Sequence, residues 1–515
     1  MLESISNSSN AISYNPLLGD IDRLKKDVFS HIYEKTVDIV HRKENGQFFT
    51  HKEIVSFILN SLPIKKNSTI LDPTCGAAAF LVGAIQKGHA VDLLYGVDID
   101  PLAIRLANEC ISKTGQTLFP QILQADAINS LSLDSFPNIK QKGGFDFIVG
   151  NPPFMPCTKF QKDKYEEFLS GPANSATLVL ANSLSLLKEN GYLAFVLPKN
   201  ILRVDSFAAL RYFIAQHTEV VSIYDIDHYF KDVRCDQIIL ILRKKKPSLE
   251  HDVKIQIINK NSSFDKPTTY IISQNELSQY GFFSVFSDKN IHSLASKLLH
   301  NYKTLLETDV NIFRGISLTD ISFETKGKNS FIRGKSLSRY SLKNILSGNI
   351  LSSSSAAISK INRLNVEKVV IQNLCSKEGG ICGTIAPANI LTLDTVTNLT
   401  SNTIDLKYLL ALITSKLANF FITQVLFLNS NFTMHADKSY IEKLPFVQPS
   451  SENLKQIQVY IEQLMNFSDK YSKEFFEVYN RLNDLIFDIY GLTPSDISII
   501  ESTLEKTMSR RSYGN

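Results

Sequence analysis

The chain has 515 residues, enough for about three domains at ~100–200 residues each, and its 43% hydrophobic and 21% charged residues are a globular composition, not a disordered or fibrous one. No apolar run approaches the ~18 residues of a membrane helix, the polar first ten residues carry no signal-sequence core, and six cysteines without a CxxC pair argue against a disulfide scaffold or a metal site, so a reduced, cytoplasmic protein without a membrane partner is expected. Net charge is only +4 (55 basic, 51 acidic), yet residues 1–245 carry 26 of each sign, residues 246–450 carry 22 basic against 15 acidic, and residues 451–515 carry 7 against 10, so the middle third is the basic one and the part that points toward a polyanion.

In chain order, helices are expected at 20–43 and 50–62. Strands and helices then alternate: strand 68–72, helix 77–86, strand 93–98, helix 101–113, strands 121–125 and 145–149, helix 176–187, strand 192–197, helix 202–216, and strands 220–224 and 237–242. Such a βα rhythm predicts a mostly parallel, doubly wound sheet with helices on both faces. The rhythm stops at the charge run Arg243-Lys244-Lys245-Lys246-Pro247, read as a boundary. Irregular α+β sequence follows, with a long apolar helix at 406–428, and residues 452–503 are helical again. The division expected is a helical segment at 1–45, an α/β domain at 46–245, an α+β domain at 246–450 and a helical tail at 451–515.

Ligands of open α/β sheets bind beyond the carboxyl ends of the strands. The first strand ends in Asp72-Pro73-Thr74-Cys75-Gly76, whose small residues permit close backbone approach, although the segment is neither a GxGxxG fingerprint nor a P-loop. The second ends in Asp98-Ile99-Asp100-Pro101. Asp100 before Pro101 suits a helix cap, which leaves Asp98 for a ribose diol. The third ends at Asp126, placed to accept from an exocyclic amine such as adenine's.

The fourth strand ends in Gly150-Asn151-Pro152-Pro153-Phe154. Two prolines fix the backbone and end the ladder. The Asn151 amide oxygen and the carbonyl of Pro152 then form a pair of acceptors for a planar primary amine, and Phe154 offers a ring to stack on the base that carries it.

These residues resemble the gamma-class adenine-N6 DNA methyltransferases of restriction–modification systems. Asn-Pro-Pro-aromatic is the signature of that family, and Asp72-Pro73-Thr74-Cys75-Gly76 resembles its methyl-donor loop. Gly46-Gln47-Phe48-Phe49-Thr50 resembles the segment that precedes it. The order of motifs is also the gamma order, with the target-recognition domain last. The resemblance implies a class I methyltransferase sheet and S-adenosylmethionine held by Thr50, Asp72, Pro73, Thr74, Cys75, Gly76, Asp98, Asp126 and Pro153, with no metal. It implies a target adenine at Asn151, Pro152 and Phe154, with Phe230 as a second aromatic wall. Phe at the fourth motif position replaces the commoner Tyr. Arg314-Gly315-Ile316, Phe331-Ile332-Arg333-Gly334 and Tyr440-Ile441-Glu442-Lys443-Leu444-Pro445 resemble pieces of recognition domains.

The function implied is site-specific methylation of a flipped-out adenine in double-stranded DNA, with any cleavage left to a separately encoded restriction endonuclease and the enzyme a monomer or weak dimer. With about 45 residues ahead of the first motif, a fused nuclease is not expected. A protein-glutamine or RNA amino-methyltransferase with the same tetrapeptide is the alternative, and the basic domain that follows weighs against it. In that domain Arg314, Arg333 and Lys335 are the candidate DNA contacts, within a stretch (314–343) of seven basic residues against two acidic ones.

Overall fold

The computed structural model describes residues 50–227, 236–248, 250–258, 264, 266–351, 355–375, 380–430 and 434–508. The expected N-terminal segment 1–45, residues 46–49 and Phe230 lie outside them. The chain divides into two compact units, one ending at Phe283 and the other beginning at Ser284.

Among the described residues the first unit has nine strands: β1 (Ile70–Asp72), β2 (Leu94–Asp98), β3 (Gln121–Gln124), β4 (Phe145–Gly150), β5 (Leu187–Pro198), β6 (Glu219–Asp227), β7 (Gln237–Arg243), β8 (Asp252–Ile257) and β9 (Thr268–Ser273). Their order across the sheet is β3-β2-β1-β4-β5-β7-β6-β8-β9. β1 to β5 run parallel, whereas β7 is antiparallel to both β5 and β6. The direction of winding reverses between β1 and β4, which opens a crevice at the carboxyl ends of these two strands. This is the class I methyltransferase arrangement expected from the motifs.

Burial explains the strand sequences. β7 reads Gln-Ile-Ile-Leu-Ile-Leu-Arg and is buried from Gln237 to Leu242, as a strand covered on both faces must be. Helices α1 (Lys52–Ser61), α2 (Ala79–Gln86) and α3 (Pro101–Ser112) share one core with Phe147, Val149, Ala194, Val196, Ile239 and Ile241. α1 contributes the stripe Ile54, Val55, Ile58 and Leu59. α4 (Ser175–Leu186) and α5 (Ala208–His217) pack with β5 and β6. Every α4 residue but Ser185 is buried.

The boundary expected after Lys245 is corrected. β8 pairs in parallel with β6, Ser222 opposite Lys254, and β9 pairs with β8, so the sheet continues past the charge run and the unit closes at Phe283. The charges there are held locally: Arg243 and Lys245 both reach Glu219, at 3.4 and 2.6 Å.

The second unit has two four-stranded sheets. One joins Asn311–Arg314, Val396–Thr400, Lys368–Gln372 and Gly383–Ala386. The other joins Ile321–Phe323, Leu346–Ile350, Asn329–Ile332 and Ile390–Thr392. The apolar helix expected at 406–428 breaks at Ser415, whose Oγ accepts from the Ala418 amide (3.0 Å) and starts a second helix. The two parts, Leu406–Thr414 and Lys416–Leu426, bend by 48° and are buried, and among the described residues no single helix is long and apolar enough to cross a membrane. The tail helices Ser451–Asn466, Lys473–Ile489 and Pro494–Met508 belong to this same unit. Asn483, fully buried on the second of them, accepts from the Lys416 amide at 2.6 Å and donates to the Tyr479 carbonyl at 2.7 Å.

Candidate active site

A cavity of about 540 Å³ opens at the carboxyl ends of β1, β2 and β4, within the first unit. Thr50, Asp72, Pro73, Thr74, Cys75, Gly76, Asp98, Asp126 and Pro153 all line it, together with Asn151. The structure therefore brings these ten residues, named from sequence, to one wall. Pro152 is buried and Phe154 half-buried, and neither is part of that wall.

The loop after β1 turns through Gly76 (φ 52°) and Ala78 (φ 63°), both left-handed. Glycine suits the first position, and α2 starts immediately after the second. Asp98 fastens this loop to β2. One carboxylate oxygen accepts from the Gly76 amide (2.8 Å) and the other from the Asp100 amide (2.9 Å). Asp100 itself caps α3, accepting from the Leu102 amide at 2.9 Å with Pro101 in the first turn, as expected.

Asp126 is committed to its own turn. It accepts from the Ile128 amide (2.8 Å), the Asn129 amide (3.3 Å) and the Asn129 side chain (2.8 Å). Its loop is held from below by buried Asn182 on α4, which donates to the carbonyls of Ala127 (2.7 Å) and Leu131 (3.0 Å).

The electrostatics of the cavity favour a cation. Burial pushes the Asp72 carboxyl up to about 8, against the Thr74 amide that holds it down, and the Asp98 charge adds to the rise. Burial also raises Asp98, opposed by the Asp100 and Gly76 amides. Asp100 and Asp126 line the same cavity, so four acidic side chains border one space. A ligand bearing positive charge favours the ionised forms of Asp72 and Asp98, which burial disfavours. S-adenosylmethionine carries a sulfonium and an ammonium, and the cavity lies within the range of volumes, ~300–1,000 Å³, typical of small-molecule sites. The residues present fit that group.

Sequence reading missed several residues of the wall: Phe80, Ile99, Asn129, Met155, Lys159, Ser175 and Val179. Asn129 had a local signal, an amide three residues after Asp126 in a turn-forming sequence. Ser175 and Val179 had none, because they reach the site from α4.

In the second unit, Arg314 ends the strand Asn311–Arg314. Its Nε donates to Asp437 Oδ1 at 3.0 Å and Nη2 contacts the same oxygen, while Asn373 donates to that oxygen at 2.7 Å. Arg333 and Lys335 are exposed on either side of buried Gly334, whose amide donates to Thr395 Oγ1 at 3.0 Å. All three basic candidates are exposed, and Arg314 is in addition held by Asp437.

A family model described as N-6 DNA Methylase matches residues 24–297, more than half of the chain. The chain belongs to this family. Type II methyltransferase M.VspI of Vibrio sp. (strain 343) is 27% identical over 226 residues, which cover 43% of this chain and 53% of that protein. Type II methyltransferase M.CvrRI of Paramecium bursaria Chlorella virus XZ-6E is 28% identical over 218 residues, 42% of this chain and 52% of the relative. The chain thus spans about half the length of these curated relatives. The solved structure of the Type IIL restriction–modification enzyme MmeI in complex with DNA shares the fold, with a TM-score of 0.60 over 96% of this chain and 78% of that one at 13% identity.

Proposed function

We propose that this chain is a site-specific adenine-N6 DNA methyltransferase of a restriction–modification system, with S-adenosylmethionine as methyl donor. The observation that carries the reading is the juxtaposition of Asn151-Pro152-Pro153-Phe154 with a cavity walled by carboxylates, Asn151 and Pro153 being common to both. When bound, S-adenosylmethionine supplies an electrophilic methyl group on a sulfonium.

The chain's own residues supply alignment and polarisation. Adenine's amine is a weak nucleophile because its lone pair is delocalised into the ring. Asn151 Oδ1 and the Pro152 carbonyl accept its two N–H bonds and draw the nitrogen toward a pyramidal, more nucleophilic form. Phe154 stacks on the flipped base, with Phe230 as the second wall. At ~1–3 kcal/mol per stacked base, this offsets part of the few kcal/mol that extrusion from the duplex costs. Asp98 takes the ribose and Asp126 the cofactor's adenine edge. The second unit reads the target, through Arg333 and Lys335 among others, and a separately encoded endonuclease is the partner.

The test is direct. The protein is expressed in a methylation-free host and modified adenines in that DNA are mapped by single-molecule sequencing. N6-methyladenine at one recurrent sequence is the expected result. Methyl transfer to RNA or protein, with none to duplex DNA, would overturn the reading.

A further inference from the structure

Each proline of the tetrapeptide has its φ fixed by its ring and carries no N–H. The central part of Asn151-Pro152-Pro153-Phe154 therefore cannot be anchored through its own amides. Asn151 and Pro152 each precede a proline and are held extended, so the least constrained backbone torsions before the aromatic ring are the ψ of Pro153, which turns the Pro153 carbonyl with it, and the φ of Phe154. Ser175 grips that carbonyl. Its Oγ donates to the Pro153 oxygen at 2.5 Å and accepts from the Met155 amide at 3.2 Å, while its own amide donates to the Met155 carbonyl at 2.9 Å. A further tie runs alongside, where Cys157 donates to the Ala173 carbonyl at 2.9 Å and Pro156 bridges Asn174. Ser175 is 5% exposed and opens α4, whose start is capped by Asn174 accepting from the Ala176 amide.

We infer that Ser175 is a positioning residue of the acceptor site, an assignment that rests on the methyl-transfer reading above. By pinning both sides of Phe154, its hydroxyl and amide set the angle between the amine acceptor Asn151 and the stacking ring. The same helix holds the Asp126 loop through Asn182, so one buried element carries both the acceptor loop and a cofactor loop. Removal of the Ser175 hydroxyl loosens the first and leaves the Asn182 tie to the Asp126 loop in place.

The experiment compares Ser175→Ala and Ser175→Thr with the parent. Four quantities are read: kcat on duplex DNA, the dissociation constant of S-adenosylmethionine by calorimetry without DNA, the melting temperature, and hydrogen exchange of the backbone around Met155. In Ser175→Ala, kcat falls roughly tenfold or more, the cofactor's dissociation constant rises by much less than that, Ser175 and Pro153 being part of the cavity wall, and exchange around Met155 quickens. Ser175→Thr, which keeps the hydroxyl, regains turnover. Ser175→Cys, close in volume but a poor hydrogen-bonding partner, provides the same comparison if the alanine variant does not fold. Turnover within about twofold of the parent overturns the inference. So does a cofactor affinity that falls in step with kcat, the mark of a general structural role. A parent protein that methylates no DNA would sink the functional reading instead, which separates the two failures.

Discussion

Gly150 stands against the carboxylate of Asp72. A methyl group on its Cα would lie 3.1 Å from Asp72 Oδ1, 3.3 Å from the Phe195 ring and 3.6 Å from Pro73 Cδ. The residue before Asn151 is thus packed on the first acid of the β1 loop, and the two halves of the site share one contact. Gly150→Ala requires the Asp72 carboxylate and the Phe195 ring to give by a few tenths of an ångström. The expected outcome is a stability loss of ~1–3 kcal/mol in urea denaturation, typical of overpacking, with turnover reduced about tenfold or more. Unchanged turnover would mean that this contact does not align the site.

Asp72 makes the site sensitive to pH. Its carboxyl is raised to about 8 in the folded protein from an ordinary value of 3.8. The folded state therefore binds more protons than the unfolded state between these limits, and stability falls as pH rises through that window. Melting temperature should drop from pH 5 to pH 8 more steeply in the parent than in Asp72→Asn. The residual slope in the variant includes Asp98, which is raised in the same direction. A cationic ligand favours the ionised carboxylate, so binding of S-adenosylmethionine near pH 7 should release protons. Calorimetry in two buffers of different ionisation enthalpy counts them, and a count of zero would contradict this account.

Asn151 and Asp98 should fail in opposite ways. Asn151→Ala removes an acceptor for the amine and is expected to abolish methyl transfer while cofactor binding survives. Asp98→Ala removes a carboxylate that fastens the Gly76 loop at 2.8 Å and faces the cavity. Loss of charge-assisted hydrogen bonds worth roughly 1.5–3 kcal/mol should weaken cofactor binding about tenfold to a hundredfold. Titration calorimetry on both variants separates them, and an unchanged constant for Asp98→Ala would move the ribose to Asp100.

What the sequence reveals follows physical range. β1, β2 and β4 are legible because each is a short apolar run closed by Asp or Gly, and Asp72 and Asp98 sit at those closures, whereas β5 begins five residues before the expected strand, in the polar run Lys188-Glu189-Asn190. The extent of the sheet is less legible. Asp252-Val-Lys-Ile-Gln-Ile alternates as a strand should, but the charge run before it resembles a linker until Glu219 is seen to neutralise Arg243 and Lys245. The break at Ser415 has a local signal, a serine able to cap a new helix inside an apolar stretch. Ser175 and the Arg314–Asp437 pair had none. One acts on a loop 20 residues upstream and the other joins residues 123 apart, and only tertiary structure brings such groups together.

That last pair changes what to expect of the basic stretch in the second unit. The Arg314 guanidinium is engaged by Asp437, whose carboxyl is lowered by Arg314 and Asn373 against the effect of burial. The two side chains are 47% and 31% exposed, so solvent screening limits the pair to about 1 kcal/mol or less. Arg333 and Lys335 are exposed in the turn that follows the strand Asn329–Ile332. If they contact phosphates, Arg333→Ala and Lys335→Ala should each weaken cognate and scrambled duplexes alike and flatten the salt dependence by ~0.9 in slope. Arg314→Ala should change that slope less than either, because its charge is already partly balanced. Fluorescence anisotropy with both duplexes at several salt concentrations measures all three. Slopes equal to the parent's in both Arg333→Ala and Lys335→Ala would place the DNA backbone elsewhere on residues 284–515.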